Sequence, residues 1–582
     1  MTVLSTQVLV VGAGPTGASA ALFLARHKIS VLLVARNRAV SDTPRAHITN
    51  SRTMEILRNV GLEEKCYAKA SANSFQANKV WVTTLAGQEL GRLMSWGNHP
   101  TRRAEYELAS PGHMCDLPQW HLEPILLEEA KRLGVRIMFE HELMGFTQTE
   151  NEVLSTVKDL AANKTLQIRS CYMVAGDGGR STAVSQLGLP LEGEEGMGTA
   201  VNVLFEADLT PHVAHRPGSL YSVFDHGCDD ITGGYTTLRM VRPWSQWVAT
   251  FPEIGTRDGP VKVDETQARS VIVGMIGDPG IPITIKNISR WLVNRLVASK
   301  YSKGRVFCAG DAVHRHPPWN GLGSNTCIQD TFNLAWKIAM VLHGKAGQKL
   351  LETYSDERQP IGKLVVDRAF RSFEEGRALL EALEIRAGQS AAERRAAFER
   401  LADPGPDGEE RRKRWRAAIE NRNYVYNALG VELNQVYRSG AVVTDGSAQP
   451  VFSTDPELYY NATTWPGARL PHCWLEQDRR ALSVQDLCGH EGFSLLTGIG
   501  GAAWKDAAKR ASNVTGVPIR VEEIGLGLPV LDPYGDWARL SEVGESGCVL
   551  VRPDLHVGWR SMSASEASSD SLTVVFQRVL GR

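Results

Sequence analysis

The sequence predicts an α/β fold with several domains, and three features of the chain support this prediction. An apolar run at residues 7–11 leads through a glycine-rich turn into a helical pattern at 18–26 and a second apolar run at 31–34. Later strand-like runs lie at 136–139, 172–174 and 305–309, and the last two each lead into a Gly-Asp pair. Between about 195 and 290 the pattern changes to alternating, aromatic-rich sequence, which is typical of a β-sheet. This order predicts a β-rich domain inserted into an α/β domain.

Length and composition limit the functions that the chain can have. At 582 residues it is too long for one core, so we expect two or three packed units that can bury a cofactor between them. With 64 basic and 65 acidic residues, it has no charge excess that predicts nucleic acid or an anionic membrane as a partner. No apolar stretch reaches the roughly 18 residues of a membrane helix. Because a strand-like run begins almost at Met1, we expect no secretory leader. The nine cysteines lack metal-ligand spacing, so we expect reduced thiols, no metal site and a cytoplasmic protein.

The first strand leads into a GxGxxG motif formed by Gly12, Gly14 and Gly17. Glycines here allow a tight turn and let the main chain approach a pyrophosphate, whose charge is stabilised by the start of the next helix. This motif predicts a dinucleotide site. The second strand should end in Asp or Glu to hold a ribose hydroxyl, but Ala35 and Arg36 follow Val34. The ribose must therefore be bound in another way or more weakly, and Arg36 is kept as a candidate cofactor-binding residue.

Two Gly-Asp pairs form the second and third motifs, with Asp177 in AGDGGR and with Gly310 and Asp311 in AGDAVHRHPPWNGLGSNT. A carboxylate at a strand end can accept ribitol hydroxyls, while the neighbouring glycines let the main chain approach a flat ring. Either pair alone is more often an ordinary turn.

The three motifs together, in this order and at these spacings, resemble the FAD-dependent aromatic hydroxylases, which include the para-hydroxybenzoate and phenol hydroxylases. Three segments are similar to the chlorophenol and hydroxybiphenyl hydroxylase branch: TPRAHITNSRTMEILRNVGLE at 43–63, NGLGSNTCIQDTFNLAWKIAMVL at 320–342 and TTWPGARLPHCWL at 463–475. The similarity runs nearly end to end. That branch also commonly lacks the acidic residue at the end of the second strand.

The resemblance implies a domain organisation for the whole chain. A Rossmann-like FAD-binding domain is expected in two parts, at 1–190 and 291–385, with a β-sheet substrate domain inserted at 191–290. A helical connector at 386–464 and a thioredoxin-like C-terminal domain at 465–582 are expected to follow. The connector is charged and broken by DPGPDGEE, so we expect a solvated segment.

The resemblance also implies roles for cofactor-binding residues. The first glycine loop would hold the ADP part of FAD, Asp177 would serve FAD and NAD(P)H, and Asp311 would bind the ribitol. The remaining implied cofactor contacts are Arg45 and Arg52 near the flavin and its phosphates, Pro318 beside its reactive edge, and the amides around Leu322, Gly323 and Asn325 at its pyrimidine edge. Asp330 and Asn333 are expected to be structural.

The implied reaction is hydroxylation of a phenol ortho to its hydroxyl, with NADPH or NADH and O2, through a flavin C4a-hydroperoxide. A phenol becomes more nucleophilic when it loses its proton, so a base of near-neutral pKa should contact it. His47 matches the branch's active-site histidine and Asp116 the carboxylate that orients it. Arg242 resembles an arginine of the substrate domain, with Arg239 three residues away as the competing residue. Without the resemblance, His47 would more often be a hydrogen-bonded core or surface residue.

The C-terminal region contains a second glycine-rich turn, GIGGAA at 498–503, with Glu522 and Glu523 roughly twenty residues later, so its spacing alone allows a second dinucleotide site for NAD(P)H. The resemblance instead implies a thioredoxin-like domain in which Cys488 and Cys548 form no CxxC pair. We treat this region as structural and expect it to contribute to a homo-oligomer.

Two other functions remain open from the sequence. One is a flavin-dependent tailoring oxygenase for a larger natural product, although the WxWxIP segment typical of halogenases is absent. The other is a non-catalytic FAD-binding redox sensor.

Overall fold

The computed structural model describes residues 3–232, 236–253, 255–256, 259–260, 263–386, 388–567 and 569–582. Within these residues the chain forms two eight-stranded sheets and a four-stranded C-terminal sheet. None of the described helices is long and apolar enough to cross a membrane.

The first sheet is the core of an α/β domain. Its strands lie in the order Ser302–Lys303, Val306–Cys308, Lys164–Ala175, Val3–Val11, Val31–Ala35 and Arg136–Phe139, with His141–Gln148 and Val153–Asp159 paired beside them. Five of these strands are parallel neighbours. Four of them contain buried apolar runs, at residues 8–11, 31–35, 172–175 and 306–308, because helices cover them. The helices that pack here are Pro15–Arg26, Gln119–Arg132 and Gly323–Leu342.

The predicted βαβ unit is present with small shifts at its ends. The helix begins at Pro15 and not at Ala18, because proline is suited to the first helical position, where its missing amide costs no hydrogen bond. The strand predicted at 172–174 is the end of the longer strand Lys164–Ala175.

The second sheet combines segments from distant parts of the chain. Its order is His314–Arg315, Thr284–Ala298, Leu191–Glu206, Gln246–Pro252, Thr236–Arg242, Gly218–Val223, Asn78–Val82 and Glu89–Met94. One face is covered by helix Glu265–Ile276. The last two strands come from before residue 191, so the sheet extends beyond the range expected for an inserted domain.

The segment expected to be a solvated connector packs against this sheet. Its helices are Ala391–Glu399, Pro406–Glu420, Asn423–Tyr426 and Leu429–Leu433, and they follow the helices Lys349–Glu375 and Arg377–Ala382. The indole of Trp415 is buried and donates to the main-chain oxygen of Leu90 (2.7 Å), and Arg394 forms a bidentate ion pair with Asp229. The charged residues thus cover one face of these helices while the other face is in the core.

The C-terminal sheet has the strand order Ile519–Glu523, Phe493–Thr497, Cys548–Val551 and Val557–Ser561. The first two strands are parallel and the other neighbours are antiparallel, with helices Ala502–Thr515 and Ser569–Val579 packed together, as in thioredoxin-like domains. A methyl group on Gly501 would lie 1.8 Å from Oγ1 of Thr497, and Glu523 pairs with Lys505. Gly501 is therefore required by packing within this domain.

The shorter elements complete the fold. The helices are Ser51–Asn59, Glu63–Tyr67, Pro100–Ala109, Thr182–Leu187, Thr210–Val213, Asp229–Thr232 and Asp536–Leu540, and the paired strands are Ile48–Thr49 with Cys115–Asp116, Gly255–Thr256 with Gly259–Pro260, and Trp474–Gln477 with Arg480–Ser483.

Candidate active site

The three glycine motifs meet at one edge of the first sheet. They follow the parallel strands that end at Val11, Ala175 and Cys308, and carboxyl ends of parallel strands are where such sheets bind ligands. Main-chain bonds join them, because Gly176 donates to Val11 (2.8 Å) and Ala309 donates to Ala175 (3.0 Å). Motifs about 165 and 300 residues apart in sequence thus form one surface.

Three glycines of this surface leave no space for a side chain. Gly12 has a φ of +101°, and a methyl group on it would lie 2.2 Å from the main-chain oxygen of Gly176. A methyl group on Gly17 would lie 1.9 Å from the oxygen of Gly12, and one on Gly310 would lie 2.1 Å from Oγ1 of Thr16. The bare main chain and the start of helix Pro15–Arg26 fit the pyrophosphate of a dinucleotide.

The two motif carboxylates have different surroundings. Oδ2 of Asp177 accepts a hydrogen bond from the amide of Ala183 (3.3 Å), whereas its buried Oδ1 has no partner among the described residues. Burial raises the pKa of Asp177. Asp311 is exposed at the sheet edge, and Arg315 donates to its main-chain oxygen (3.1 Å) and not to its carboxylate. Both carboxylates keep acceptor capacity for hydroxyl groups.

His47 and Asp116 form a hydrogen-bonded pair, as the resemblance implied. Nδ1 of His47 lies 2.9 Å from Oδ2 of Asp116, and these side chains are 10% and 0% exposed. The short strands Ile48–Thr49 and Cys115–Asp116 pair beside them, and the amide of Leu117 donates to the oxygen of His47 (2.7 Å). The main chain therefore fixes the distance between the two side chains.

The charge state of His47 is set mainly by its burial. Burial lowers the pKa of His47, the Asp116 carboxylate opposes this shift, and the nearby Arg239 adds to it. His47 is therefore neutral near neutral pH. Because its Nδ1 donates to Asp116, its Nε2 is left as a proton acceptor.

Arg239, and not Arg242, is the arginine of the second sheet that contacts the His47 segment. The guanidinium of Arg239 donates to the main-chain oxygens of Pro44 and Arg45, and burial lowers the pKa of Arg239 to about 10. Arg242 is exposed and lines a surface cleft with Glu206, Asp208, Ser245 and Gln246. Arg242 lies three residues after Arg239, beyond a register shift between Met240 and Arg242, and its role at the site stays a prediction.

Arg52, which the resemblance implied near the flavin and its phosphates, is bound by protein groups. It is buried, forms an ion pair with Glu55 (2.9 Å) and donates to the main-chain oxygen of Asp554 in the C-terminal domain (2.8 Å). It therefore anchors that domain. Arg36 and Arg45 are exposed, and their guanidinium groups have no ion-pair partner among the described residues, so both remain suited to phosphate.

The residues expected at the flavin ring surround the start of helix Gly323–Leu342. Pro318 is exposed and Leu322 is buried, while the first-turn amides of the helix lack helical acceptors. The side chain of Asn325 donates to the oxygens of Ile48 (2.9 Å) and Gly321 (2.7 Å) and accepts from the amide of Asn50 (3.0 Å). Asn325 thus ties this helix to the segment that carries His47.

Asp330, which we expected to be structural, connects two buried side chains. Its Oδ1 accepts from Arg358 (2.8 Å) and its Oδ2 lies 2.8 Å from Nε2 of His314, all within the buried core. Asn333 joins a second buried network, in which it donates to Glu357 (2.7 Å) and Asp554 (3.0 Å). No group of three or more His, Cys, Asp or Glu side chains in the described residues is arranged to hold a metal ion.

Two family models match the chain. Residues 5–369 match the FAD binding domain, and residues 463–582 match the aromatic-ring hydroxylase C-terminal domain. These matches include the glycine surface, the His47–Asp116 pair and the C-terminal sheet.

Full-length relatives support the same assignment. The chain is 46% identical to 2,4-dichlorophenol 6-monooxygenase of Delftia acidovorans, covering 100% of this chain and 99% of that protein. It is 40% identical to phenol 2-monooxygenase of a Pseudomonas species, covering 96% and 90%. The solved structure of the flavin-dependent monooxygenase PieE with FAD and substrate is 44% identical, with a TM-score of 0.95 over 99% of each chain.

Together, the glycine surface and the two family matches define an FAD-binding oxidoreductase. The chain belongs to the family of FAD-dependent aromatic-ring hydroxylases, in the branch that contains the phenol hydroxylases. Its cofactor is FAD and its co-substrate is NAD(P)H.

Proposed function

We propose that this enzyme hydroxylates a small phenol at the position ortho to its hydroxyl group. The His47–Asp116 pair is the main structural support, because a neutral imidazole held by a buried carboxylate is suited to accept a phenolic proton. The relatives named 2,4-dichlorophenol 6-monooxygenase and phenol 2-monooxygenase support both the phenolic substrate and the ortho position.

His47 would act as the base that sets the charge of the substrate. Its Nε2 accepts the phenolic proton, and the resulting phenolate donates electron density to the ring carbon that is hydroxylated. Asp116 holds the imidazole in the tautomer that leaves Nε2 free to accept, and it stabilises the imidazolium that forms. Arg239 holds the main chain just before His47.

The residues that would hold FAD follow from the glycine surface. Gly12, Gly14 and Gly17 would contact the pyrophosphate with Arg36 and Arg45 nearby, and Asp177 and Asp311 would accept hydroxyls. The amides at Leu322 and Gly323 would bind the pyrimidine edge of the ring beside Pro318. When bound, FAD supplies the redox chemistry by taking electrons from NAD(P)H and activating O2.

The second sheet would form the cover over the reacting groups. Val241 of this sheet packs with Leu204 and Val248 near Trp120, which lies on the helix that follows Asp116. An apolar cover excludes water, which prevents wasteful loss of the activated oxygen.

The test is turnover of the purified flavoprotein with NADPH or NADH, O2 and a panel of simple phenols, chlorophenols and larger polycyclic phenols. We expect substrate-dependent oxidation of the nicotinamide and an ortho-dihydroxy product identified by mass spectrometry and NMR. The polycyclic phenols test the tailoring alternative, since the chain is also 32% identical to aklavinone 12-hydroxylase RdmE of Streptomyces purpurascens. Reduction of the flavin that no phenol accelerates would contradict the proposal, and no reduction at all would favour the sensor.

A further inference from the structure

Lys79 is a buried lysine on the face of the second sheet opposite helix Glu265–Ile276. The valines that alternate with it in strand Asn78–Val82 pack in the core under that helix, so Lys79 faces the other way. It is 2% exposed, and its Nζ donates to Oγ of Ser222 (2.6 Å). It forms no ion pair among the described residues, although buried charges are usually paired.

Two further buried donors lie beside Lys79. The ring of Trp81 is centred 5.6 Å from Nζ of Lys79, and its Nε1 has no hydrogen-bond partner among the described residues. Arg422 follows helix Pro406–Glu420, and its Nη1 is likewise buried without a partner in the described part of the chain. Burial lowers the pKa of Lys79, and the nearby positive charge of Arg422 lowers it further.

The three groups have the same hydrogen-bonding character. An ammonium, an indole and a guanidinium only donate, and Lys79 and Arg422 have no carboxylate partner among the described residues. Unpaired donors in the interior cost free energy, and two neighbouring cations repel each other. A negatively charged group with two or more acceptor oxygens would satisfy these donors and separate the cations. The cluster is therefore suited to a carboxylate or a similar small anionic group.

The three donors lie in the same packed region as the expected reaction site. Trp81 belongs to an apolar cluster that contains Ile48, which directly follows His47. Trp319, which directly follows Pro318, packs against the same cluster. An aromatic and apolar region thus extends from the segment of the proposed base to the donors.

Arg422 is also connected to the loop expected at the flavin. Its Nη2 donates to the main-chain oxygen of Ser372 (2.9 Å), whose hydroxyl donates to Oδ1 of Asn320 (2.8 Å). Nδ2 of Asn320 donates in turn to the main-chain oxygen of Tyr424 (2.6 Å), two residues after Arg422. These bonds hold the segment that carries Arg422 against the loop that contains Pro318.

We propose that Lys79, Trp81 and Arg422 form a subsite for a negatively charged substituent of the phenolic substrate, such as a carboxylate. The inference rests on the proposed function, because it takes the phenolic hydroxyl to bind at His47 and assigns the other end of the same molecule. It narrows the substrate class to phenols that carry an acidic group away from the hydroxylated edge of the ring.

The test compares matched acids and amides with the holoenzyme. Binding to the oxidised protein is followed by the change in flavin absorbance for 3-hydroxybenzoate, 4-hydroxybenzoate and (3-hydroxyphenyl)acetate, each paired with its uncharged amide. We expect at least one acid to bind about tenfold more tightly than its amide, because a hydrogen bond between charged groups contributes that much. In Lys79→Met the ratio should fall to nearly one, because methionine keeps the apolar stem without the charge, and Arg422→Gln should also lower it.

Because acid and amide bind the same folded protein, a loss of stability cancels in this ratio. Lys286→Met is the matched control, since Lys286 lies in the same sheet but pairs with Glu206 at the surface, and it should keep the wild-type ratio. Equal binding of acid and amide in every pair would overturn the proposal, and so would a preference that Lys79→Met leaves unchanged.

Product analysis with the same compounds separates this inference from the proposed function. Ortho-hydroxylation of acids and amides alike, with equal binding, would overturn the subsite and leave the proposed function intact. Preferred binding of an acid that is lost in Lys79→Met, without hydroxylation of any compound, would support the subsite and contradict the proposed function.

Discussion

The main-chain amide of Gly310 donates to Oδ2 of Asp330, across a distance of 3.1 Å. Gly310 has a φ of +65° and presents Asp311 at the edge of the first sheet, whereas Asp330 lies inside helix Gly323–Leu342. The other oxygen of Asp330 is bound by the fully buried Arg358. The turn that carries Asp311 is thus attached to a buried ion pair.

We expect Asp330→Asn to weaken both the fold and FAD binding. Removing the charge leaves Arg358 buried without its carboxylate, which typically costs about 3–5 kcal/mol. The Gly310 turn also loses an acceptor. Thermal unfolding and FAD release on dilution, followed by flavin fluorescence, would measure the two effects. The matched control is Asp367→Asn, because Asp367 pairs with Lys363 and Arg295 at the surface and should contribute less than about 1 kcal/mol.

The pH dependence of turnover should report the protonation of His47. Since burial lowers its pKa below 6.5, kcat/KM should be level near neutral pH and fall only in more acidic buffer, where His47 is protonated and cannot accept. This fall in kcat/KM at low pH is the acidic limb of the pH profile. His47→Gln should reduce kcat/KM by about a hundredfold or more and should remove the acidic limb. A pH profile for both proteins with one phenol checks this, and an unchanged limb in His47→Gln would exclude His47 as the base.

Asp116→Asn should move the acidic limb of that profile to lower pH. The Asp116 carboxylate raises the pKa of His47, so its removal lets burial lower that pKa further. The amide also fails to hold the imidazole in the accepting tautomer, and kcat should fall by on the order of a hundredfold. A purely structural role would reduce stability without moving the limb.

Arg239→Gln should move the acidic limb in the opposite direction. The positive charge of Arg239 lowers the pKa of His47, so its loss raises that pKa and His47 becomes protonated at higher pH. Arg242→Gln, on the same strand but exposed, should leave the limb in place. A shift in Arg242→Gln and none in Arg239→Gln would restore the assignment made from the sequence.

The buried carboxyl of Glu432 should make the protein less stable as the pH rises. Burial raises the pKa of Glu432 to about 8, so its contribution to stability is complete below the unfolded value of 4.5 and is lost as the pH rises towards 8. Glu432→Gln should therefore stabilise the protein by about 2–4 kcal/mol in alkaline buffer and by little in acid. Melting temperatures of both proteins across this range give the test, and an equal difference at every pH would contradict it.

The parts of this site that depend on local motifs could be predicted from the sequence. The parts that depend on contacts between distant residues could not. Gly12 and Gly310 lie in turns whose geometry depends on a few neighbouring residues, so their pattern can be recognised in the sequence. The sequence could not decide between Arg239 and Arg242, because they lie three residues apart in one strand and nothing in the local sequence marks which of them contacts the His47 segment. The contact of Arg52 could not be predicted because its partner, Asp554, lies 502 residues away.

The full extent of the second sheet could not be predicted from the sequence for the same reason. Strand Asn78–Val82 pairs in parallel with Gly218–Val223, across more than a hundred residues, and no turn between them indicates the pairing.

Two contacts join the cofactor-binding part of the chain to the C-terminal domain. They are the hydrogen bond from Arg52 to Asp554 and the ion pair between Glu357 and Arg552, and they affect how the protein folds during synthesis. During synthesis on the ribosome, the segments that form the cofactor surface emerge long before residue 552 does. Until then Glu357 lacks the arginine that binds both of its oxygens. The nascent chain therefore cannot complete its interior until nearly the whole polypeptide has been translated, and premature termination near the end should yield a product that proteases degrade.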